Sequence, residues 1–369
     1  MKIRRILPAF PSIASKRFIW IGAGTIFFVC LLLANRLLAV AQPGDQFFEV
    51  SATKYMLGTK VEFKAMAPDI LAAKKAFYYA YREIERVEGL LSSHRDSSEI
   101  SAINLNAGVA PVKVSWETLA IVERAQEYAA RFDGLFDVTI GAVTTLWGFN
   151  DDRDIAIPRH ADLAAARHLV DYHLLRFSEV DTTVFLTGKG MRIDLGGIAK
   201  GYAIDRAVAT LKAHGLTRFL VNAGGDIYAA GLKAEDEMWR VGIQHPRKPG
   251  ELLATFQTQD MAVATSGDYE RYKIIDGHRY HHIIDPRTGF PGTLNQSVSV
   301  FTSSAEKADV WATYLFILGA HDFRRMPSPP GIEVCFVQSS GAAVYDSSLV
   351  KNVHLQFIDG VTYSKLTRE

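Results

Sequence analysis

A carboxylate, two adjacent glycines and a lysine lie within one short stretch, DLGGIAKGYAID, residues 194–205. The preceding MRIDL predicts the end of a strand, and apolar residues recur afterwards at helical spacing. A strand that turns through glycines into a helix N-terminus directs backbone N–H groups at an anion. Two interpretations are open. Asp194 and Lys200 could belong to a ligand site, or Gly196 and Gly197 could simply permit close packing in a tight turn.

A second candidate is the pair Asp309 and Thr313 in ADVWAT. Spacing of i and i+4 places both on one face of a predicted helix. A carboxylate and a hydroxyl are oxygen ligands of the kind that Mg²⁺ prefers. The alternative is an exposed aspartate beside a threonine that bonds its own backbone.

Residues 281–292, HHIIDPRTGFPG, concentrate ionisable side chains where a predicted strand meets a loop. Such loops often carry function, although a plain hairpin connection is the alternative. His281 and His282 point to opposite faces of a regular strand, so only one of them can enter a site. The Gly-acid stretches NAGGD and ATSGDYERY could be tight turns and no more.

The elements that must position these residues alternate irregularly between helix and strand. An N-cap at Asp69 and the apolar spacing behind it predict a helix to about Leu91, and Ser98-Glu99 marks another helix start. Further helices are predicted at 117–131, 161–169, 198–214 and 305–318. Strands are predicted at 55–63, on both sides of 188–190, as a pair within 218–231, and in WRVGI, MAVATSG, HHIIDP, SVSVFTS and GIEVCFV. We therefore expect an α+β fold with a mixed sheet.

The first 41 residues differ from the rest of the 369-residue chain. They hold six of the 41 Lys and Arg, none of the 40 acids, and an unbroken apolar run at 18–34, followed by small residues at Ala39 and Ala41. This composition predicts an export signal, with an uncleaved membrane anchor as the alternative. The remaining chain, 42–369, carries a formal charge near −5, which argues against a nucleic-acid partner. It retains only Cys335, so neither an internal disulfide nor a cysteine zinc site is possible.

Taken in order, the motifs of residues 55–319 resemble one family. They are MLGT, LSSHRDSSEISAIN, GLFDVTIG with LWGF, DLGGIAKGYAID, NAGGD, WRVGIQHP, ATSGDYERY, HIIDPRTGFP and ADVWAT with LG. This series resembles the ApbE-type flavin transferases, FAD:protein FMN transferases. The resemblance implies a T-fold-like α+β domain whose core is a largely antiparallel mixed sheet with flanking helices. It also implies Mg²⁺-dependent transfer of FMN from FAD to a Thr or Ser hydroxyl of a partner protein, with release of AMP.

The resemblance also implies roles for individual residues. His282 matches a histidine implicated in transfer, Gly197, Asp309 and Thr313 match the metal ligands, and the positions that match FAD contacts are Leu57, His94, Leu135, Phe136, Asp137, Asp194, Lys200 and Thr288. Two positions depart from the pattern. His94 stands where many members have a tyrosine that packs on the flavin, and Ala312 stands where some have a further acid.

From side-chain chemistry, His282 is the candidate general base, because the unperturbed pKa of histidine lies near neutrality. Asp285 could orient that histidine or act as the base itself.

The expected partner is a flavoprotein subunit or domain, of a membrane redox complex, on the periplasmic side of the inner membrane. Two alternatives use the same residues: an FAD pyrophosphatase that yields FMN and AMP, and a non-catalytic FAD-binding protein.

Overall fold

The computed structural model describes residues 46–149 and 156–368. The signal or anchor predicted at 1–41 lies outside the described residues. Within the described ranges, no helix is long and apolar enough to cross a membrane.

Four of the nine described helices begin at a side chain that caps the first free N–H groups. Asp69 accepts hydrogen bonds from Leu71 N and Ala72 N, and Ser98 accepts one from Ser101 N, so both predicted starts are confirmed. In chain order the described helices are α1 (Ile70–Leu91), α2 (Glu99–Leu105), α3 (Trp116–Arg131), α4 (Gly141–Trp147), α5 (His160–Arg167), α6 (Ala199–Ala213), α7 (Ala305–Leu318), α8 (Ala320–Arg324) and α9 (Ser348–Asn352).

The strands form one large sheet and three small ones. They are β1 (Phe48–Met56), β2 (Thr59–Ala67), β3 (Val112–Lys113), β4 (Leu175–Ser178), β5 (Thr183–Leu186), β6 (Phe219–Ala223), β7 (Asp226–Ala230), β8 (Trp239–Gln244), β9 (Leu252–Thr258), β10 (Met261–Gly267), β11 (Tyr272–Ile275), β12 (His278–His281), β13 (Asn295–Thr302), β14 (Glu333–Gln338), β15 (Ala343–Tyr345), β16 (Gln356–Phe357) and β17 (Tyr363–Lys365).

The large sheet has nine strands in the order β1-β2-β6-β7-β10-β13-β14-β15-β17. Only the β15–β17 pair is parallel, so the predicted largely antiparallel sheet is confirmed. The small sheets are β11-β12, β16-β9-β8 and β3-β5-β4. The segment after Gly319 adds β14, β15 and β17 to the edge of the large sheet.

Both faces of the central strands are covered. Val298 and Val300 of β13 join the main core with α1, α6 and α7, whereas Phe301 joins a second core under β8 and β9. All eight residues of β13 are consequently buried. Helix α7 packs on β10 and β13, and α6 lies between α1 and α7. This arrangement holds the DLGGIAKGYAID stretch against the helix that carries Asp309 and Thr313.

Three predicted strands were wrong in part. Residues 55–63 are not one strand, because Leu57 and Gly58 have φ values of 54° and 69° and form a tight hairpin turn between β1 and β2. Residues 191–195 join no ladder beyond one isolated bridge at Arg192. The amide of Asn104 satisfies the Ile193 backbone there, since it accepts from Ile193 N at 2.6 Å and donates to Ile193 O at 3.0 Å.

The third is HHIIDP, in which the strand ends at His281. Beyond it the chain turns, because Thr288 N and Gly289 N both donate to the Asp285 carbonyl. A single bridge between Ile284 and Pro291 closes this loop.

Candidate active site

One cavity of about 680 Å³ gathers most of the predicted site residues. Its lining comes from the β1–β2 turn, the loop after α1, the loop before α4, the start of α6, the end of β10, the segment after β12, and α7. Eleven predicted residues lie in this lining: Leu57, His94, Leu135, Phe136, Asp137, Asp194, Gly197, Lys200, His282, Asp309 and Thr313. Asp285 and Thr288 do not.

The glycine corner is fixed by Asp194. Its Oδ1 accepts from Gly196 N and its Oδ2 from Thr144 Oγ1, both at 2.9 Å. The next residue in the corner, Gly197, tolerates no side chain without movement. A Cβ there would lie 3.0 Å from the Phe136 ring and 3.2 Å from Thr313 Oγ1. The glycine therefore brings its own backbone close to α7 and the cavity.

The predicted metal ligands Gly197, Asp309 and Thr313 all line this cavity. A carbonyl, a carboxylate and a hydroxyl form an all-oxygen donor set, which suits Mg²⁺. Burial, followed by the neighbouring Asp226 carboxylate, raises the pKa of Asp309 to about 7, so this carboxyl lies where a cation would be favourable. The described residues contain no cluster of three or more His, Cys, Asp or Glu side chains suited to a metal. The residues present fit a cation that takes its remaining ligands from water or from a bound molecule.

Lys200 lies between two carboxylates. Its Nζ is 2.8 Å from Asp226 Oδ2, and Asp226 Oδ1 accepts from Thr265 N at 3.0 Å. Burial would lower the pKa of Lys200, but the Asp226 and Asp309 carboxylates outweigh it and raise that pKa. The lysine thus remains a cation at the cavity wall.

The two adjacent histidines have different environments. His281 is buried, and its Nε2 lies 2.8 Å from the Gly292 carbonyl while its Nδ1 accepts from Ile283 N. His282 instead lines the cavity, and its Nδ1 lies 3.3 Å from the Arg271 carbonyl. A carbonyl only accepts, so Nδ1 carries the proton and Nε2 keeps the lone pair. Burial, then the charge of Arg271, lowers the pKa of His282 well below its usual value.

Asp285 and Thr288 are engaged in the loop after His282. The Asp285 carboxylate pairs with Arg287, at 2.7 Å between Oδ2 and Nη2, and also accepts from Arg287 N. Thr288 Oγ1 accepts from Phe290 N and lies 3.4 Å from the Asp285 carbonyl. Both side chains shape the loop, and neither is brought to the cavity lining.

Local backbone structure positions the apolar side chains of the cavity lining. Leu57 occupies a left-handed backbone conformation in its turn. The Asp137 carboxylate is satisfied internally, since Oδ1 accepts from Thr139 N and Thr139 Oγ1 and Oδ2 accepts from Tyr172 N. Burial raises the pKa of Asp137. This aspartate therefore supports the loop that presents Leu135 and Phe136.

Sequence reasoning missed several polar residues of the site, and four of them come from two short stretches. Ser266, Glu270 and Arg271 line the cavity, and Asp226 reaches Lys200. All four lie in the Gly-acid stretches NAGGD and ATSGDYERY. The available signal was that each stretch joins an apolar strand to an acidic turn. The pairing of β7 with β10, which no local pattern indicates, brings the two stretches together.

The chain is similar to known proteins over most of its length. The sequence model of the ApbE family matches residues 57–336. The FAD:protein FMN transferase of Treponema pallidum (strain Nichols) is 38% identical over 309 residues, which cover 78% of this chain and 84% of that protein. One from Klebsiella pneumoniae (strain 342) is 33% identical over 73% of this chain and 82% of its own.

Solved structures show the same fold. The ApbE protein of Thermotoga maritima superposes with a TM-score of 0.74 at 30% identity, over 82% of this chain and 98% of its own. The flavin transferase ApbE from Vibrio cholerae gives a TM-score of 0.73 at 30% identity, over 83% and 99%. The predicted α+β fold and the resemblance are confirmed: the chain belongs to the ApbE family.

Proposed function

We propose that this protein is an FAD:protein FMN transferase that attaches FMN through a phosphoester to a Thr or Ser hydroxyl of an acceptor protein. The observation that carries the proposal is that a neutral histidine and an oxygen-donor cluster line the same cavity. That pairing provides a proton acceptor beside a place for pyrophosphate, as phosphoryl transfer needs.

In the proposed transfer, the acceptor hydroxyl displaces AMP from FAD. The acceptor hydroxyl oxygen bonds to the phosphorus of the FMN half of FAD, and its proton moves to His282 Nε2. The bond between that phosphorus and the bridging oxygen breaks, and AMP leaves with the bridging oxygen. His282 is suited to this task because its tautomer is set by the Arg271 carbonyl.

Other residues hold the substrate and balance its charge. Lys200 supplies a permanent cation at the cavity wall, and Asp194 fixes the corner against which the cofactor lies. Gly197, Asp309 and Thr313 would hold Mg²⁺, which when bound neutralises pyrophosphate oxygens. Leu57, Leu135 and Phe136 offer apolar surface to the flavin, and His94 a ring that can stack.

The deciding experiment mixes the protein with FAD, Mg²⁺ and an acceptor domain that carries a target threonine. We expect in-gel flavin fluorescence on the acceptor and a mass gain equal to FMN. Free FMN and AMP without labelled acceptor would instead identify an FAD pyrophosphatase. Bound FAD that stays intact would identify a binding protein.

We propose further that the reaction takes place on the periplasmic side of the inner membrane. This rests on the export-signal composition of residues 1–41. Fractionation of cells that express the full chain tests it, since activity that stays with the cytoplasmic fraction contradicts it.

A further inference from the structure

Helices α6 and α7 approach each other unusually closely beside the oxygen donors. A Cβ on Gly201 would lie only 2.2 Å from the Ala305 carbonyl oxygen, so no side chain fits there. The N–H of Gly201 donates to Asp309 Oδ2 at 2.9 Å. The start of one helix is thereby bonded directly to a predicted metal ligand on the other.

This bond satisfies a donor that the helix itself leaves free. Gly201 is the third residue of α6, so its N–H has no partner within the helix. Asp309 supplies that partner from α7. No backbone N–H of the described residues donates to the Gly197 carbonyl, which lies before the helix and is available to a cation.

The position of Asp309 depends on the start of α7, where Asp205 of α6 forms the cap. Asp205 Oδ1 accepts from Ala305 N at 2.8 Å, and its Oδ2 accepts from Glu306 N at 3.0 Å and from Ser304 Oγ at 2.8 Å. Ser304 Oγ accepts from Lys307 N at 3.2 Å. Every free N–H of the first turn of α7 therefore depends on Asp205 or on a serine that Asp205 orients.

We propose that Asp205 is a positioning residue for the metal site. It fixes the first turn of α7 against α6, which keeps the Asp309 carboxylate on the Gly201 amide. The inference rests on the proposed function only in naming Mg²⁺ as that cation. The hydrogen bonds themselves are independent of it.

The test compares Asp205→Ala and Asp205→Asn with Asp69→Ala, a matched control that removes the N-cap of α1. The first readout is hydrogen exchange in the protein without metal or FAD. Gly201 N–H is protected by Asp309, so Asp205→Ala should accelerate exchange at Gly201 and in the first turn of α7. Asp69→Ala should accelerate exchange only at the start of α1. Unchanged exchange at Gly201 in Asp205→Ala overturns the proposal.

The second readout is FAD binding measured by flavin fluorescence, first in EDTA and then with increasing Mg²⁺. Removing an outer-shell partner typically weakens metal affinity roughly 10-fold or more, so Asp205→Ala should raise the half-saturating Mg²⁺ by that factor. Its metal-free FAD affinity should match the wild type. Asp205→Asn keeps one acceptor oxygen, so its half-saturating Mg²⁺ should lie between those of the wild type and Asp205→Ala.

The outcomes separate the two proposals. If Asp69→Ala raises half-saturating Mg²⁺ as much as Asp205→Ala, the effect is general destabilisation and the positioning role is overturned. If wild-type FAD binding ignores Mg²⁺, the metal part of the proposed function fails, and the exchange data alone decide the role of Asp205. If Asp205→Ala does not fold, Asp205→Asn carries both measurements.

Discussion

His282 and Arg271 are joined twice at one oxygen: the His282 backbone N–H donates to the Arg271 carbonyl at 3.1 Å, and His282 Nδ1 lies 3.3 Å from it. The carbonyl fixes both the position and the tautomer of the imidazole. A variant whose residue 282 keeps the hydrogen bond but cannot accept a proton should therefore bind FAD normally and lose transfer activity.

His282→Gln tests this expectation. We expect transfer to fall on the order of 10²-fold or more, which is the usual contribution of a general base, with FAD affinity little changed. Single-turnover labelling of the acceptor measures the rate. Asp285→Asn is the control, because its carboxylate is bound to Arg287 and should not matter for transfer. An equal loss in Asp285→Asn would assign the base role to Asp285.

The pH dependence follows from the lowered pKa of His282. Folded His282 stays neutral as pH falls through about 6.5, the ordinary value. At saturating Mg²⁺, which keeps Asp309 ionised, the transfer rate should therefore stay flat there and decline only at lower pH. Unfolded His282 takes up a proton near 6.5, so its contribution to stability is present above that pH and is lost below it. Urea denaturation at pH 5 and pH 7.5, in wild type and His282→Gln, measures the difference. A wild-type rate that falls around pH 6.5 contradicts the prediction.

Asp309→Asn should abolish the response to Mg²⁺. The amide retains an oxygen for Gly201 N–H but loses the charge, so transfer should fall on the order of 100-fold, as expected when several kcal/mol of charge stabilisation is lost. Without Mg²⁺ the variant should be at least as stable as the wild type, because a buried carboxyl has been replaced by a neutral group. Thermal denaturation with and without Mg²⁺ measures both effects. Activity that still rises with Mg²⁺ in Asp309→Asn would exclude this residue as a ligand.

Asp226→Asn should leave Lys200 without its closest carboxylate. Breaking a buried ion pair costs about 3 kcal/mol, and the nearby Asp309 should reduce that cost. The double variant Lys200→Met with Asp226→Asn should recover stability but not activity, since it removes the cation at the cavity wall. Urea denaturation and labelling assays on the wild type, Asp226→Asn and the double variant check this. Activity recovered in the double variant would show that transfer does not need Lys200.

His94→Tyr should tighten FAD binding. A larger ring adds stacking worth about 1 kcal/mol, or roughly fivefold in affinity, whereas His94→Ala should weaken binding by a similar factor. Flavin fluorescence quenching in EDTA isolates this contact from the metal. Identical affinities in all three proteins would place the flavin elsewhere in the cavity.

The sequence predicted the long helices well because the capping residue and the apolar spacing that indicate each helix lie within that helix or directly before it. Asp69 and Ser98 cap helices just where their spacing indicated, and the i, i+4 pair Asp309 and Thr313 does lie on one buried helix. The extended segments were harder. Residues 191–195 have a strand composition, yet the partner is the side chain of Asn104, about 90 positions away in sequence, and no local pattern predicts it.

The motifs that form the site could be predicted from the sequence, but the ion pairs and hydrogen bonds between them could not. Asp226 and Lys200 are separated by a helix and a strand, and only the sheet order brings them together. Similarly, within residues 194–205 the sequence indicated a role for Asp194 and none for Asp205. In the structure Asp194 holds the corner and Asp205 caps another helix.

Leu57 has a further implication for protein engineering. Its backbone, at φ 54°, is one that glycine or asparagine adopts readily and leucine does not, at a cost of about 1 kcal/mol or more. A screen that ranks variants by thermal stability alone would favour replacing this leucine. The same replacement would remove an apolar contact from the cavity wall, so heat-tolerant variants selected at this turn should be poorer enzymes.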